Sequence, residues 1–288
     1  MLFVTTGYIL CKTDIVKHEH TKVLSALGVH VFFPATIFNT FSSRLTVPCL
    51  KEKGYYILSS AIIIFILACI AKFISKLLTK NKYGQRIYEY TLTNPNYGYV
   101  GYPLVSALFG QEMLFNVMIF TLPLSFYSYT YGYSTLTKRP VSFEKLINTV
   151  TVSMALGAAV GLLGLPVPYV ASSFLSTAAS CMGPISMLLA GMVISEFPVA
   201  SLLKIRNTYI AVAFRLLIMP CAVALVLRMI GLEDLVIPSL MVFSMPCGLN
   251  TIIFPRLIGE DCKPGASLSL VSSILCCFTI PLCLQIFS

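Results

Sequence analysis

Two short segments place proline, glycine and asparagine inside long apolar stretches of the chain. Residues 93–103 read T-N-P-N-Y-G-Y-V-G-Y-P, and residues 245–250 read M-P-C-G-L-N. Proline has no amide N–H and its ring clashes with the preceding turn, so each segment is expected to interrupt a helix. An interrupted helix frees backbone N–H and C=O groups, which need a polar ligand or water in a membrane. The two segments therefore predict a binding site for a polar ligand within a bilayer.

The asparagines in these segments are the candidate ligand-binding residues. Asn96 and Asn250 offer carboxamide donors and an acceptor without the cost of burying a charge. A half-helix N-terminus adds free N–H groups and a positive dipole end, which together favour an anion. Asn94 and Tyr97 flank the first break and complete the predicted substrate-binding set. The alternative is that these asparagines merely cap the broken helix ends. Capping and ligand binding are compatible roles for the same side chain.

The predicted helix-breaking residues are the prolines and glycines of the same two segments. They are Pro95, Gly98, Gly101, Pro103, Pro246 and Gly248. Breaks centred near Gly98 and Gly248 fall close to the middle of two spans, so the two broken helices are expected to cross at the membrane midplane.

Few ionisable residues lie inside the apolar stretches, and two of them are candidates for ion coupling. Glu89 lies about one turn before the first break and is a candidate proton or cation site, and Arg215 lies in a later apolar stretch. Intramembrane charges are functional by default, although residues near span ends also snorkel to the interface. The ten cysteines lack metal-ligand spacing and resemble small apolar fillers, so neither a metal nor another cofactor is expected.

The composition predicts a polytopic membrane protein. Of the 288 residues, 57% are apolar and 11% are charged, and the mean hydropathy is +0.86, which excludes an ordinary soluble domain. The net charge of +9 comes from lysines and arginines in short loops between apolar runs, where such residues orient a chain in the bilayer. No nucleic-acid partner is expected.

Ten stretches approach the length of roughly 20 apolar residues that a spanning helix needs. They lie near 1–11, 21–42, 55–78, 87–109, 113–136, 146–164, 170–196, 206–230, 234–258 and 265–287. The first stretch is short for a full span, which suggests either a stub helix or a start further upstream.

The ten stretches form two similar sets of five. Pro34 and Pro184 are 150 residues apart, and Gly110 and Gly259 are 149 residues apart. A repeat with an odd number of helices enters the membrane from opposite faces, so the halves are inverted relative to each other. We therefore expect an all-α protein of two inverted five-helix repeats, 1–137 and 143–288, with two broken, crossing helices.

With the motifs in view, the chain resembles the auxin efflux carrier family of membrane transporters. The similar motifs are N-Y-G-Y-V-G-Y-P-L at 96–104, A-L-F-G at 107–110, M-P-C-G-L-N at 245–250, F-F-P-A-T-I-F at 32–38, and Arg215 ahead of Pro220. The resemblance covers nearly the whole chain, and the pair of crossover motifs is specific whereas either alone is weak. The long cytoplasmic loop of the plant exporters is absent, which favours the bacterial type, whose members are linked to malonate or malate.

The resemblance implies a fold similar to that of the bile acid sodium symporters, in which a transport bundle moves against a scaffold. It implies that Asn96 and Asn250 contact the substrate carboxylate, and that Pro103 and Pro246 break the crossing helices.

The expected function is secondary transport of a small organic anion, a mono- or dicarboxylate similar to auxin or malonate, by alternating access. No G-x-x-x-x-G-K-[ST] motif occurs, so coupling to ATP would need another subunit. The alternatives are sodium-coupled uptake and a membrane sensor that binds the same anion. An intramembrane enzyme is disfavoured because neither a paired intramembrane Asp nor a Ser/His dyad is evident. Proton or sodium coupling and a homodimer are left open.

The distribution of positive charge predicts the orientation in the cytoplasmic membrane. Of the 20 lysines and arginines, only Arg44, Lys51, Lys53 and Arg228 lie in loops on one side, Arg215 lies within a span, and the others lie on the opposite side. Since loops rich in Lys and Arg stay in the cytoplasm, both termini are expected to face outside.

This orientation predicts the labelling of two introduced cysteines. In intact cells, a cysteine replacing Lys51 should react with an impermeant thiol reagent, because that loop is expected outside. A cysteine replacing Lys80 should resist the reagent until the cells are permeabilised. The parent chain supplies the background from its ten native cysteines, and the reverse labelling pattern would invert the topology.

Overall fold

The computed structural model describes residues 2–17, 19–140, 147–196, 198–256 and 258–287. Over these ranges the regular structure is helical, and no strand is present. The α-helices are α1 (Leu2–Lys12), α2 (His20–Leu27), α3 (Phe33–Arg44), α4 (Val47–Leu78), α5 (Lys82–Thr93), α6 (Tyr102–Phe120), α7 (Leu122–Tyr127), α8 (Tyr133–Thr137), α9 (Thr149–Leu163), α10 (Tyr169–Ser195), α11 (Val199–Leu202), α12 (Arg206–Ala213), α13 (Met219–Met229), α14 (Val236–Phe243), α15 (Asn250–Arg256) and α16 (Lys263–Phe287). Wider π-helical turns connect some of them, at Gly28–Phe32, Tyr97–Gly101, Ser128–Gly132 and Phe214–Ile218.

Six helical runs in the described ranges are long and apolar enough to cross a membrane. They are His20–Arg44, Val47–Leu78, Tyr97–Phe120, Tyr169–Ser195, Arg206–Met229 and Lys263–Phe287. The predicted all-helical membrane class is confirmed, whereas the count of ten spans and the inverted repeat stay predictions. Leu2–Lys12 and Thr149–Leu162 are apolar but shorter. The ninth predicted span is divided between α14 and α15, so neither piece is long enough alone.

Glycine with a positive φ lies at both positions of the glycine pair that marks the predicted repeat. At Gly110, inside α6, φ is 78° and ψ is −173°, which no helical residue adopts. At Gly259, after α15, φ is 72°. Glycine reaches positive φ without the steric cost of a Cβ atom. The break at Gly110 lies where the fourth predicted span ends, while the predicted repeat boundary at 137–143 falls partly on residues outside the described ranges.

The helices form two compact units. The first comprises Met1–Tyr55, Gly98–Ile119 and Phe143–Glu196, and the second comprises Tyr56–Tyr97, Phe120–Ser142 and Phe197–Ser288. Each unit therefore takes segments from both halves of the sequence.

In the first unit, α1 packs along α10, and α3 packs against α9 and α10. The α1–α10 contact is backbone against backbone, because Gly7 lies against the Leu188 carbonyl and Gly191 lies against the Val4 carbonyl. Small residues allow this close approach between membrane helices, where van der Waals packing replaces the hydrophobic drive that water would supply.

In the second unit, α16 packs against α12, α14 and α15, and α13 packs against α14. Buried hydroxyls join α16 to α11 and α12: the Ser267 hydroxyl donates to the Leu202 carbonyl at 2.6 Å and also contacts the Thr208 hydroxyl. Long α4 contributes large apolar side chains to the outer surface, including Leu58, Phe65 and Phe73. An apolar exterior of this extent suits lipid rather than water.

Of the four π-helical turns in the described ranges, three end directly before an X-Pro pair that begins the next α-helix. The prolines are Pro34, Pro103 and Pro220. A proline within a helix removes one N–H donor and displaces the carbonyl four residues earlier, and a wider turn accommodates both effects. Side chains of neighbouring helices satisfy two of the displaced carbonyls. The Ser186 hydroxyl donates to the Tyr99 carbonyl, and the Cys283 thiol approaches the Leu216 carbonyl at 3.7 Å.

The close approach of α1 and α10 predicts the effect of one added methyl group. Gly191→Ala would place a Cβ atom into the Val4 carbonyl, and overpacking of this kind costs about 1–3 kcal/mol. We therefore expect a lower Tm of the purified protein in detergent. Gly54→Ala in α4 is the matched control, because a Cβ atom there meets no atom within 4 Å. Equal Tm values for the two variants would contradict this packing.

Candidate functional site

The first break separates α5 from α6. Helix α5 ends at Thr93, residues 94–96 are not helical, and the π-helical turn at Tyr97–Gly101 leads into α6. Of the four residues predicted to break this helix, Pro95 lies in the non-helical stretch.

The other three residues predicted to break this helix lie in the helical continuation. Gly98 and Gly101 belong to the π-helical turn, and Pro103 is the second residue of α6. The helix continues through Pro103 because the π-helical turn before it has a wider hydrogen-bond spacing, which accommodates the missing N–H of proline. Gly98 instead provides room for a ring, since a Cβ atom there would lie 2.8 Å from the Phe33 side chain.

The second break separates α14 from α15. Helix α14 ends at Phe243 and α15 begins at Asn250, so Pro246 and Gly248 both lie in the non-helical stretch of residues 244–249. The Cys247 N–H donates to the Ser272 hydroxyl of α16 at 2.9 Å. A side chain of a neighbouring helix therefore satisfies a donor that the interrupted helix cannot.

The two breaks meet and satisfy each other. Pro95 and Cys247 form an antiparallel bridge, and the Asn96 N–H donates to the Pro246 carbonyl at 2.8 Å. Gly248 faces the Asn94 carbonyl, which would lie 3.5 Å from a Cβ atom. Unpaired backbone groups cost several kcal/mol each in hydrocarbon. This paired segment, residues 94–96 with 245–248, is called the crossover below.

The predicted binding residues surround the crossover. Asn94 and Asn96 are buried, with 2% and 6% of their surfaces exposed. The Asn94 side-chain oxygen accepts from the Ser128 hydroxyl. The Asn250 side-chain amide donates to the Tyr90 hydroxyl at 3.0 Å. The structure therefore brings asparagines from two distant segments to one junction.

Hydroxyl groups from other elements hold these side chains in place. The Tyr97 hydroxyl shares a hydrogen bond of 2.8 Å with Ser125, which lies on α7. Tyr90, Ser125, Ser128 and Ser272 were not predicted from the sequence. Tyr90 precedes Asn94 by one helical turn, which is only a weak sequence indication that it lies near the site. The three serines are distant in sequence from their partners, so no sequence pattern indicates their contacts.

Glu89, a candidate for ion coupling, is buried on α5, with 8% of its surface exposed. Its carboxylate accepts a hydrogen bond of 2.9 Å from the Tyr131 hydroxyl. Ion pairs among the described residues involve other carboxylates, namely those of Glu19, Glu233 and Glu260. Glu89 is therefore held by a neutral donor.

Arg215, the second candidate, is fully buried in the π-helical turn at Phe214–Ile218. This turn packs against α5 and α16. The Cys247 thiol of the crossover is within electrostatic reach of the guanidinium. The structure thus places Arg215 beside the second break.

Within the first unit, a cavity of about 610 Å³ adjoins the beginning of α6. Its wall is mostly apolar, but it includes the uncharged polar side chains Asn39, Ser106 and Gln111. Across the described ranges, no group of three or more His, Cys, Asp or Glu side chains has the arrangement of a metal site.

Comparison with known proteins agrees with the motifs. A family model described as membrane transport protein matches residues 1–145 and 139–284, nearly the whole chain. An uncharacterized transporter of Methanocaldococcus jannaschii is 25% identical over 289 residues, which cover 93% of this chain and 90% of that protein. The resemblance inferred from the crossover motifs is confirmed. The chain belongs to the auxin efflux carrier family of membrane transport proteins.

Proposed function

We propose that this protein is a secondary transporter that moves small organic anions across the cytoplasmic membrane. The observation that carries the proposal is the crossover, where two interrupted helices pair through the Asn96 N–H and the Pro246 carbonyl. Asparagine side chains surround that junction.

The chemistry of the junction suits a carboxylate. In this proposal, carboxamide N–H groups of Asn96 and Asn250 donate to the anion. The first turn of α15 contributes less, since the N–H groups of Thr251, Ile252 and Ile253 already bond to Gly248 and Leu249 carbonyls. The side chains, rather than that helix end, are therefore the proposed ligands.

Alternating access requires two bodies that move against each other, and the chain divides into two compact units. The family matches at 1–145 and 139–284 support a division of the sequence into two halves. We propose that these halves are inverted repeats of five helices, with both termini outside, and that Glu89 couples transport to protons.

Removal of either asparagine amide should weaken anion binding. Asn96→Ala or Asn250→Ala deletes a charge-assisted hydrogen bond worth about 1.5–3 kcal/mol, so affinity should fall roughly tenfold to a hundredfold. The measurement is uptake of labelled malonate, malate and indole-3-acetate into proteoliposomes, with Kd from scintillation proximity.

Asn207→Ala is the matched control, because Asn207 donates to the Leu78 carbonyl at the end of α4 rather than at the crossover. This variant should retain the affinity of the parent protein. If the Asn96 and Asn250 variants also bind as tightly as the parent, the asparagines are only helix caps.

Replacement of the buried carboxylate should uncouple transport from protons. Glu89→Gln preserves the shape and the acceptor for Tyr131 but removes the titrating group. We expect anion uptake by this variant to become insensitive to an imposed proton gradient. Tyr131→Phe, which keeps the carboxylate and deletes its donor, should remain gradient-sensitive. A gradient response in Glu89→Gln equal to that of the parent would assign coupling elsewhere.

A further inference from the structure

Arg215 occupies a position that the local backbone fixes. Pro220 displaces the Leu216 carbonyl, and the resulting π-helical turn at Phe214–Ile218 carries Arg215 into the interior of the second unit. The Cys283 thiol of α16 approaches the displaced carbonyl at 3.7 Å, which holds the turn against its neighbour. The side chain is 0% exposed, so it has no route to snorkel to the interface.

The guanidinium lacks the partners that a buried charge requires. Across the described residues, none of its three nitrogens has a hydrogen-bond partner, and no ion pair includes it. Arginine stays protonated in proteins, and an uncompensated buried charge is strongly destabilising. A protein that needed only packing at this position would be more stable with methionine or leucine.

The surroundings of Arg215 identify where its partner belongs. The Cys247 thiol, which lies within electrostatic reach, is part of the crossover, where Cys247 bridges Pro95 and its N–H is bonded to Ser272. The turn that carries Arg215 packs against α5 and α16, the helices that bear Tyr90 and Ser272, so the guanidinium and the asparagines belong to the surroundings of the same junction. The planar guanidinium matches a carboxylate with two parallel hydrogen bonds.

We propose that Arg215 is the built-in counter-charge for the carboxylate of the transported anion, so that anion binding at the crossover needs no bound metal cation. This inference rests on the proposed function and adds the residue that balances the charge. The bound pair is neutral, and a second carboxylate, as in a dicarboxylate, adds a charge that Arg215 does not balance.

The proposal predicts opposite effects of one substitution on stability and on binding. The probes are malonate, malate and indole-3-acetate, added separately to purified full-length protein in detergent with choline replacing sodium. In Arg215→Met, Tm without anion should equal or exceed that of the parent, because an unpaired buried charge is removed. The anion-induced rise in Tm should be lost, with affinity at least about a hundredfold lower. Arg215→Lys keeps the positive charge but lacks the planar group that forms two parallel hydrogen bonds. This variant should keep a weaker anion-induced rise in Tm, with affinity roughly tenfold lower than that of the parent.

Arg228→Met is the matched control on α13. The Arg228 side chain is partly exposed and pairs with Glu233 at 3.4 Å, so its loss should leave the anion-induced rise in Tm unchanged.

Three outcomes would overturn the proposal. One is an anion response in Arg215→Met equal to that of the parent, and another is a response of the parent that appears only with sodium. The third is a lower Tm of Arg215→Met without anion, which would make Arg215 a structural cation. These results leave the proposed function standing if the Asn96 and Asn250 variants lose binding. A parent protein that responds to none of the three anions, in choline and in sodium alike, would overturn the proposed function and this inference together.

Discussion

The hydrogen bond from the Asn96 N–H to the Pro246 carbonyl is the constraint on which the second unit depends. A helix that stops inside hydrocarbon leaves donors and acceptors that lipid cannot satisfy. Each break here uses the other as its partner, and Pro95 facing Cys247 extends the pairing. The Ser272 hydroxyl of α16 adds a further partner by accepting from the Cys247 N–H. The asparagines are then positioned by the same pairing that makes their segments possible.

Proline acts in two different ways in this chain. Pro95 and Pro246 lie in non-helical backbone and end a helix outright, whereas Pro34, Pro103 and Pro220 follow π-helical turns and let the helix continue. In two of the latter cases, Ser186 and Cys283 contact the displaced carbonyl from a neighbouring helix. In these two cases a packed neighbour contacts the carbonyl that the proline displaces. The sequence around each proline does not contain that information.

The membrane class, both interruptions and the family were accessible from the sequence because they depend on composition and on local steric rules. Pro95 and Pro246 were identified by their missing N–H groups and by the clash of the ring with the preceding turn, and Gly110 by its place at the end of an apolar stretch. Gly98 and Pro103 were expected to break the helix but lie beyond the break, since the π-helical turn accommodates them. Tyr90 and Ser128 were not predicted as partners of the asparagines, because tertiary packing decides those contacts. The isolation of Arg215 likewise depends on which side chains surround it, which no local pattern reveals.

Helix α4 has a consequence for the membrane itself. As a helix of 32 residues, α4 is longer than the hydrocarbon core of a bilayer is thick. Its apolar part is bounded by lysines, with Lys51 and Lys53 near one end and Lys72 and Lys76 near the other. The uncharged stretch from Gly54 to Ala71 is about 27 Å long at the rise of an α-helix, close to the roughly 30 Å of a typical bilayer core. Apolar side chains such as Phe65 and Ile66 are exposed between the lysines, so the length of this stretch of α4 sets the bilayer thickness that fits the protein. A bilayer much thicker than this stretch would have to thin around α4 or draw lysines inward, and either adjustment costs free energy. Lipid chain length therefore affects this protein through α4.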